Sequence, residues 1–253
     1  MSEALFWGFV SAFALVVGAI AALKIKFSHR VIGLIMAFGV GALISSVCFE
    51  LVENAFSDSG NIGTVLIGLV AGALVYFFGD LLIDKYGGKN RKNMRGTSET
   101  SGTKEKSDDD NSGLAILLGT VLDGIPESMV IGLTIVQGGS VSIAMVVAVF
   151  LSNVPEGLSS SIGLLASGWK KRSIFGLWAV VVAASVFSTF IGYQVFADTS
   201  ALARAFVLSF AGGAILTMLA DTMIPEAYRS SGKLTGLVVV LGFCLAFAVT
   251  TVE

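Results

Sequence analysis

Charge is scarce in this chain. Only 13% of its 253 residues are Asp, Glu, Lys or Arg, about half the share of an ordinary soluble domain, while 55% are hydrophobic. That balance excludes a water-soluble globule. Histidine occurs once, at His29, so a His-Glu-x-x-His zinc-hydrolase motif cannot be written. A paired nucleophile and base is also missing, and no enzyme is expected. With no ATP-binding motif, any transport would run on ion gradients or partner proteins. No prosthetic group and no nucleic-acid partner is called for. Alternating strands of about 10 residues, the mark of a membrane β-barrel, are absent. The two cysteines, Cys48 and Cys244, lie inside apolar stretches and read as small core residues. His29 stands in a short basic turn and reads as an interfacial residue. Proline occurs three times, at Pro126, Pro155 and Pro225.

What is present is a series of apolar runs of about 20 residues, the length that crosses a bilayer. Eight are found: Leu5–Leu23, Val31–Val52, Gly63–Ile83, Gly113–Val136, Val141–Leu165, Ser173–Phe196, Ala203–Tyr228 and Leu234–Val252. The first begins almost at Met1 without a basic leader region, and reads as a retained helix. Thirty glycines suit closely approaching membrane helices. The expected fold is an all-α membrane bundle of eight transmembrane helices forming one domain over residues 1–253. The polar stretch 85–112, between spans three and four, is expected to be a disordered loop.

Basic residues fall on alternate connections. Lys24, Lys26 and Arg30 follow span one; seven Lys and Arg occupy the loop after span three; Lys170, Lys171 and Arg172 follow span five; Arg229 and Lys233 follow span seven. The other side holds only Arg204. The positive-inside rule therefore places these connections in the cytoplasm and both termini outside.

Within this greasy chain, two segments echo each other 29 residues apart: Asp123-Gly124-Ile125-Pro126-Glu127 and Ser152-Asn153-Val154-Pro155-Glu156. Each proline lacks an N–H and frees the carbonyl one turn back. Positions four apart share a helix face, so Asp123 joins Glu127, and Ser152 joins Glu156. A carboxylate in hydrocarbon marks an ion or substrate pathway by default. Serines beside the prolines (Ser128, Ser152, Ser159, Ser160) can re-satisfy freed backbone, but three acids are too costly for that task. Asp123, Glu127, Ser152, Asn153 and Glu156 are the candidate metal ligands. Glu50 in span two and Asp221 in span seven are candidate pathway groups. Glu53 and Glu226 read as interfacial, and Asp80 and Asp84 as a solvated helix end. Spans two and seven also echo, Gly41-Ala42-Leu43-Ile44 matching Gly213-Ala214-Ile215-Leu216. Running in opposite directions, they suggest inverted repeats.

These motifs resemble those of the ZIP family of divalent metal transporters. The resemblance spans the chain and implies a ZIP-like bundle with both termini outside, a long cytoplasmic loop after span three, and metal ligands on spans four and five. It implies a transporter of Zn²⁺-, Mn²⁺- or Fe²⁺-type cations in the plasma or inner membrane, with the ion as substrate, and a homodimer. The family's span-four motif is usually His-Asn-x-Pro-Glu-Gly; here Asp123 stands at the histidine, Gly124 at the asparagine, and Ser128 at the last glycine. Span five has Ser152 where a histidine or glutamine is usual. A second metal in some relatives uses positions 124 and 153 plus a span-six glutamate, for which this chain offers Gly124, Asn153 and Ser185. Oxygen-rich ligation shifts preference toward harder ions such as Mn²⁺. The alternative is a non-transporting metal-sensing or scaffold protein with a degenerate site.

Overall fold

The computed structural model describes residues 1–83 and 109–252. Eight helices are found there: α1 (Ser2–Lys24), α2 (His29–Ser59), α3 (Ile62–Ile83), α4 (Asp109–Gly138), α5 (Ile143–Ala166), α6 (Lys171–Val195), α7 (Ala201–Ser231) and α8 (Leu234–Thr250). Among the described residues there is no strand. The eight coincide with the eight apolar runs. Seven are long and apolar enough to cross a membrane, and α8 is apolar but only 17 residues long. The protein is a multi-pass membrane protein. Of the polar stretch 85–112, positions 109–112 already belong to α4; the rest lies outside the described residues.

The boundaries follow from local chemistry. Serine side chains cap α2, α5 and α7: Ser28 accepts from the Val31 N–H, Ser142 from Met145, and Ser200 from Ala203. Each satisfies one of the orphan donors of a first turn. Gly60 (φ 61°) ends α2 and Gly232 (φ 66°) ends α7, in a backbone region that side chains resist.

Helices α2 and α7 are one design used twice. Ser28 and Ser200, Gly41 and Gly213, Gly60 and Gly232 are each separated by the same 172 positions (200 − 28). Both helices widen into a π-helical turn at that same offset, over Val47–Glu53 and Leu219–Met223. Each thus reaches 31 residues, about 46 Å at 1.5 Å per residue, longer than a 30 Å hydrocarbon layer.

Four helix pairs close by reciprocal glycine contact, backbone against backbone. A Cβ on Gly41 would collide with the Val239 carbonyl, and one on Gly242 with the Phe38 carbonyl, joining α2 to α8. Gly213 against Leu69 and Gly72 against Phe210 join α7 to α3 in the same way. Gly18 and Gly157 join α1 to α5, and Gly132 and Gly192 join α4 to α6. Lipid tails are as apolar as leucine, so close packing of small residues drives helix association here. The same argument corrects the reading of the cysteines: Cys48 and Cys244 are exposed on the bundle surface, because a thiol loses little by facing lipid. The main core gathers Met36, Val40 and Leu43 of α2, Ile131 and Leu133 of α4, Met145 of α5, and Leu208 and Ile215 of α7.

Candidate metal centre

Helix α4 turns Asp123 and Glu127 inward from one face, with relative exposures of 5% and 2%. The carboxylates of Glu156, on α5, and of Asp123 lie near enough to Glu127 to act on it electrostatically. The two proline motifs thus bring three acids into one neighbourhood inside a membrane bundle. Pro126 and Pro155 sit within otherwise continuous helices, and each frees the carbonyl four residues back. The Leu151 carbonyl, freed by Pro155, faces the bare Cα of Gly39 on α2.

The neutral candidates are held by backbone. Ser152, 2% exposed, donates its hydroxyl to the Val149 carbonyl at 2.9 Å, leaving oxygen lone pairs available. Asn153, 6% exposed, donates its amide to the Ser11 carbonyl of α1 at 3.2 Å, leaving its carbonyl oxygen as the group able to meet a cation. A Cβ on Gly124 would lie 3.5 Å from Ser185 Oγ, so positions 124 and 185 are neighbours across α4 and α6, and neither carries an acid. Among the described residues, no three His, Cys, Asp or Glu groups close into a ready-made metal cluster.

The profile of the ZIP zinc transporter family matches residues 85–250. The chain belongs to the ZIP zinc transporter family. This ZIP chain is also 20% identical over 217 residues to the Arabidopsis thaliana protein named "Putative zinc transporter At3g08650", covering 85% of its own length and 33% of the relative's. It thus spans about a third of that relative.

Other acids of this ZIP protein divide sharply. Glu50 is buried, in the π-helical turn of α2. Asp221, in the equivalent turn of α7, is exposed on the bundle surface. Glu226 accepts the Ser159 hydroxyl at 2.9 Å and borders a small cavity with His29 and Ser230. That bond links α7 to α5. Asp80 corrects its sequence reading: it is 8% exposed, not solvated, because α3 turns it inward one turn after Tyr76. Asp84 lies outside the described residues. Tyr76 is the residue that motif reasoning missed. It is 2% exposed and donates its phenol to Asp123 Oδ1 at 2.6 Å. The available signal was modest: a single tyrosine in span three, four residues after Gly72.

Proposed function

We propose that this ZIP protein moves divalent cations of the Zn²⁺, Mn²⁺ and Fe²⁺ type across the membrane toward the cytoplasm, using a carboxylate site between α4 and α5. The observation that carries this reading is the burial of Glu127 beside two further acids. Neighbouring carboxylates in a low-dielectric place repel one another, and the buried ones, Asp123 and Glu127, also carry a desolvation cost. A bound divalent cation relieves both terms. Asp123, Glu127 and Glu156 would supply charge, and Asn153 and Ser152 neutral oxygen. Such a donor set suits Mn²⁺ better than an imidazole site does and still accepts Zn²⁺.

Family membership and resemblance support a transporter rather than an enzyme, a place in the cell membrane and a homodimer. A second reading, a metal sensor that binds without conducting, is favoured by one feature: Gly124 and Ser185 meet where an acidic second site could otherwise form. Uptake into proteoliposomes, with Zn²⁺, Mn²⁺ and Fe²⁺ offered at equal concentration, separates the two. Saturable flux is expected. Tight binding without flux would hand the function to the sensor reading.

A further inference from the structure

An apolar groove runs between α1 and α6, and none of the three acids lines it. It extends from Leu5 to Val16 on α1 and from Phe175 to Phe190 on α6, with a volume of about 740 Å³. Every side chain along it is apolar. Ala179 and Ala183, one and two turns on from Phe175, leave the space that larger residues would fill. Phe9 and Phe13 stack along the α1 wall, their ring centres 5.3 Å apart. The α6 wall advances 15 residues (190 − 175), about 22 Å at 1.5 Å per residue, which exceeds one leaflet of a hydrocarbon layer about 30 Å thick. A hydrated ion or polar solute finds no partner there; a hydrocarbon chain does.

One end of the groove is basic. Gly8 of α1 faces Thr189 of α6, while Ala19 shares an apolar cluster with Ile174, so the two helices run antiparallel. Lys24, just past Ala19, therefore lies at the same end as Lys171 and Arg172, just before Ile174. All three are exposed. Lys171 and Arg172 stand four and three residues before Phe175, on its helix face, and Lys24 stands three turns beyond Phe13. The opposite end carries exposed acids instead, Glu3 and Asp198. We infer that the groove binds an anionic phospholipid: an acyl chain lies between α1 and α6, and Lys24, Lys171 and Arg172 hold the phosphate headgroup. The basic end is the one expected to face the cytoplasm, and anionic lipids of that leaflet attract bases placed beside the membrane. Basic residues at inner helix ends are common; the particular feature here is an apolar groove that continues from them. A second copy is a poor occupant. Copies share one orientation in the membrane, so a two-fold pair would set basic end against basic end. The lipid would touch the two helices that support the acids, since α1 packs on α5 through Gly18 and Gly157, and α6 on α4 through Gly132 and Gly192.

Dioleoyl phosphatidylglycerol and dioleoyl phosphatidylcholine share their acyl chains and differ in charge, so they are the probes. The experiment offers both in equal amount to the purified whole chain in detergent, and native mass spectrometry reads which lipid is retained. The wild type is expected to retain phosphatidylglycerol preferentially. Changing Lys24→Gln, Lys171→Gln and Arg172→Gln together should lower that preference by roughly 100-fold, about fivefold for each charge. Arg229→Gln with Lys233→Gln, which removes bases of the α7–α8 turn, should leave it unchanged. Ala183→Trp fills the groove from an exposed position and keeps every base; it should weaken phosphatidylglycerol retention by about tenfold or more. Val240→Trp, on the exposed face of α8, is its control and should retain lipid as the wild type does. Equal retention of the two lipids by the wild type overturns the inference, as does an Ala183→Trp variant that behaves like Val240→Trp. A loss in the Arg229 and Lys233 variant equal to that in the triple variant would reduce the effect to general surface charge and overturn it too. An Ala183→Trp change that splits a dimer and leaves lipid retention intact would make the groove a contact between copies instead. The triple variant removes charges that orient the chain; should it fail to insert, the comparison of Ala183→Trp with Val240→Trp decides.

Discussion

Each acid at the site has a distinct setting, Asp123 and Glu127 buried and Glu156 half-buried, and the substitutions should differ accordingly. Glu127→Gln and Glu156→Gln are each expected to abolish saturable uptake of every ion, because each removes one of three charges that would balance a divalent cation; normal flux in either would sink the site. Glu127→Gln should also raise the melting temperature of the metal-free protein by about 2–4 °C, the shift corresponding to about 1 kcal/mol in a chain of this size, since it removes a carboxylate that is 2% exposed among like charges. Asp123→His replaces charged oxygen by neutral nitrogen and should raise Zn²⁺ uptake relative to Mn²⁺ by roughly tenfold, equivalent to ~1.4 kcal/mol. A ratio unchanged in paired uptake assays would remove Asp123 from direct contact with the ion. The repeated Pro-Glu motif made these residues legible in the sequence. Tyr76 was not legible, because its importance lies in which carboxylate its hydroxyl reaches, and that depends on the packing of α3 beside α4.

The helices owe their association to glycines placed opposite carbonyls. Gly72→Val would drive a branched side chain into the Phe210 carbonyl, and overpacking of this kind costs about 1–3 kcal/mol. A clearly lowered melting temperature in detergent is expected. Gly176→Ala is the control, since open space surrounds Gly176 on α6 and alanine favours helix over glycine by about 1 kcal/mol; it should be neutral or slightly stabilising. The ion pair between Arg204 and Asp58, at 3.1 Å, joins the ends of α7 and α2 but is partly exposed on both sides. Asp58→Asn should therefore shift stability by less than about 1 kcal/mol. Helices α2 and α7 show how far a sequence echo can be trusted. Four matched apolar residues hinted at a repeat. The common serine cap, π-helical turn and terminal glycine showed that the whole helix is repeated.

For the molecule as a whole, orientation is the testable quantity. From the Lys and Arg distribution, the α3–α4 connection is expected on the cytoplasmic side. Protease added to sealed, right-side-out vesicles should spare it, and inside-out vesicles should expose it; cleavage from outside would reverse the topology.

The sequence alone determined the number of spans, their approximate limits and the two helices that carry the acids. Those properties depend on hydrophobic run length, on proline's missing N–H and on the cost of charge in hydrocarbon, all of which are local or additive along the chain. Tertiary structure decided which polar groups meet. It set Asp80 inside, Asp221 outside, the cysteines toward the surface and Tyr76 on Asp123. Helix rotation about its own axis is settled by glycine-mediated contact with neighbours, and in a chain that is apolar on almost every face, hydrophobic periodicity says little about that rotation.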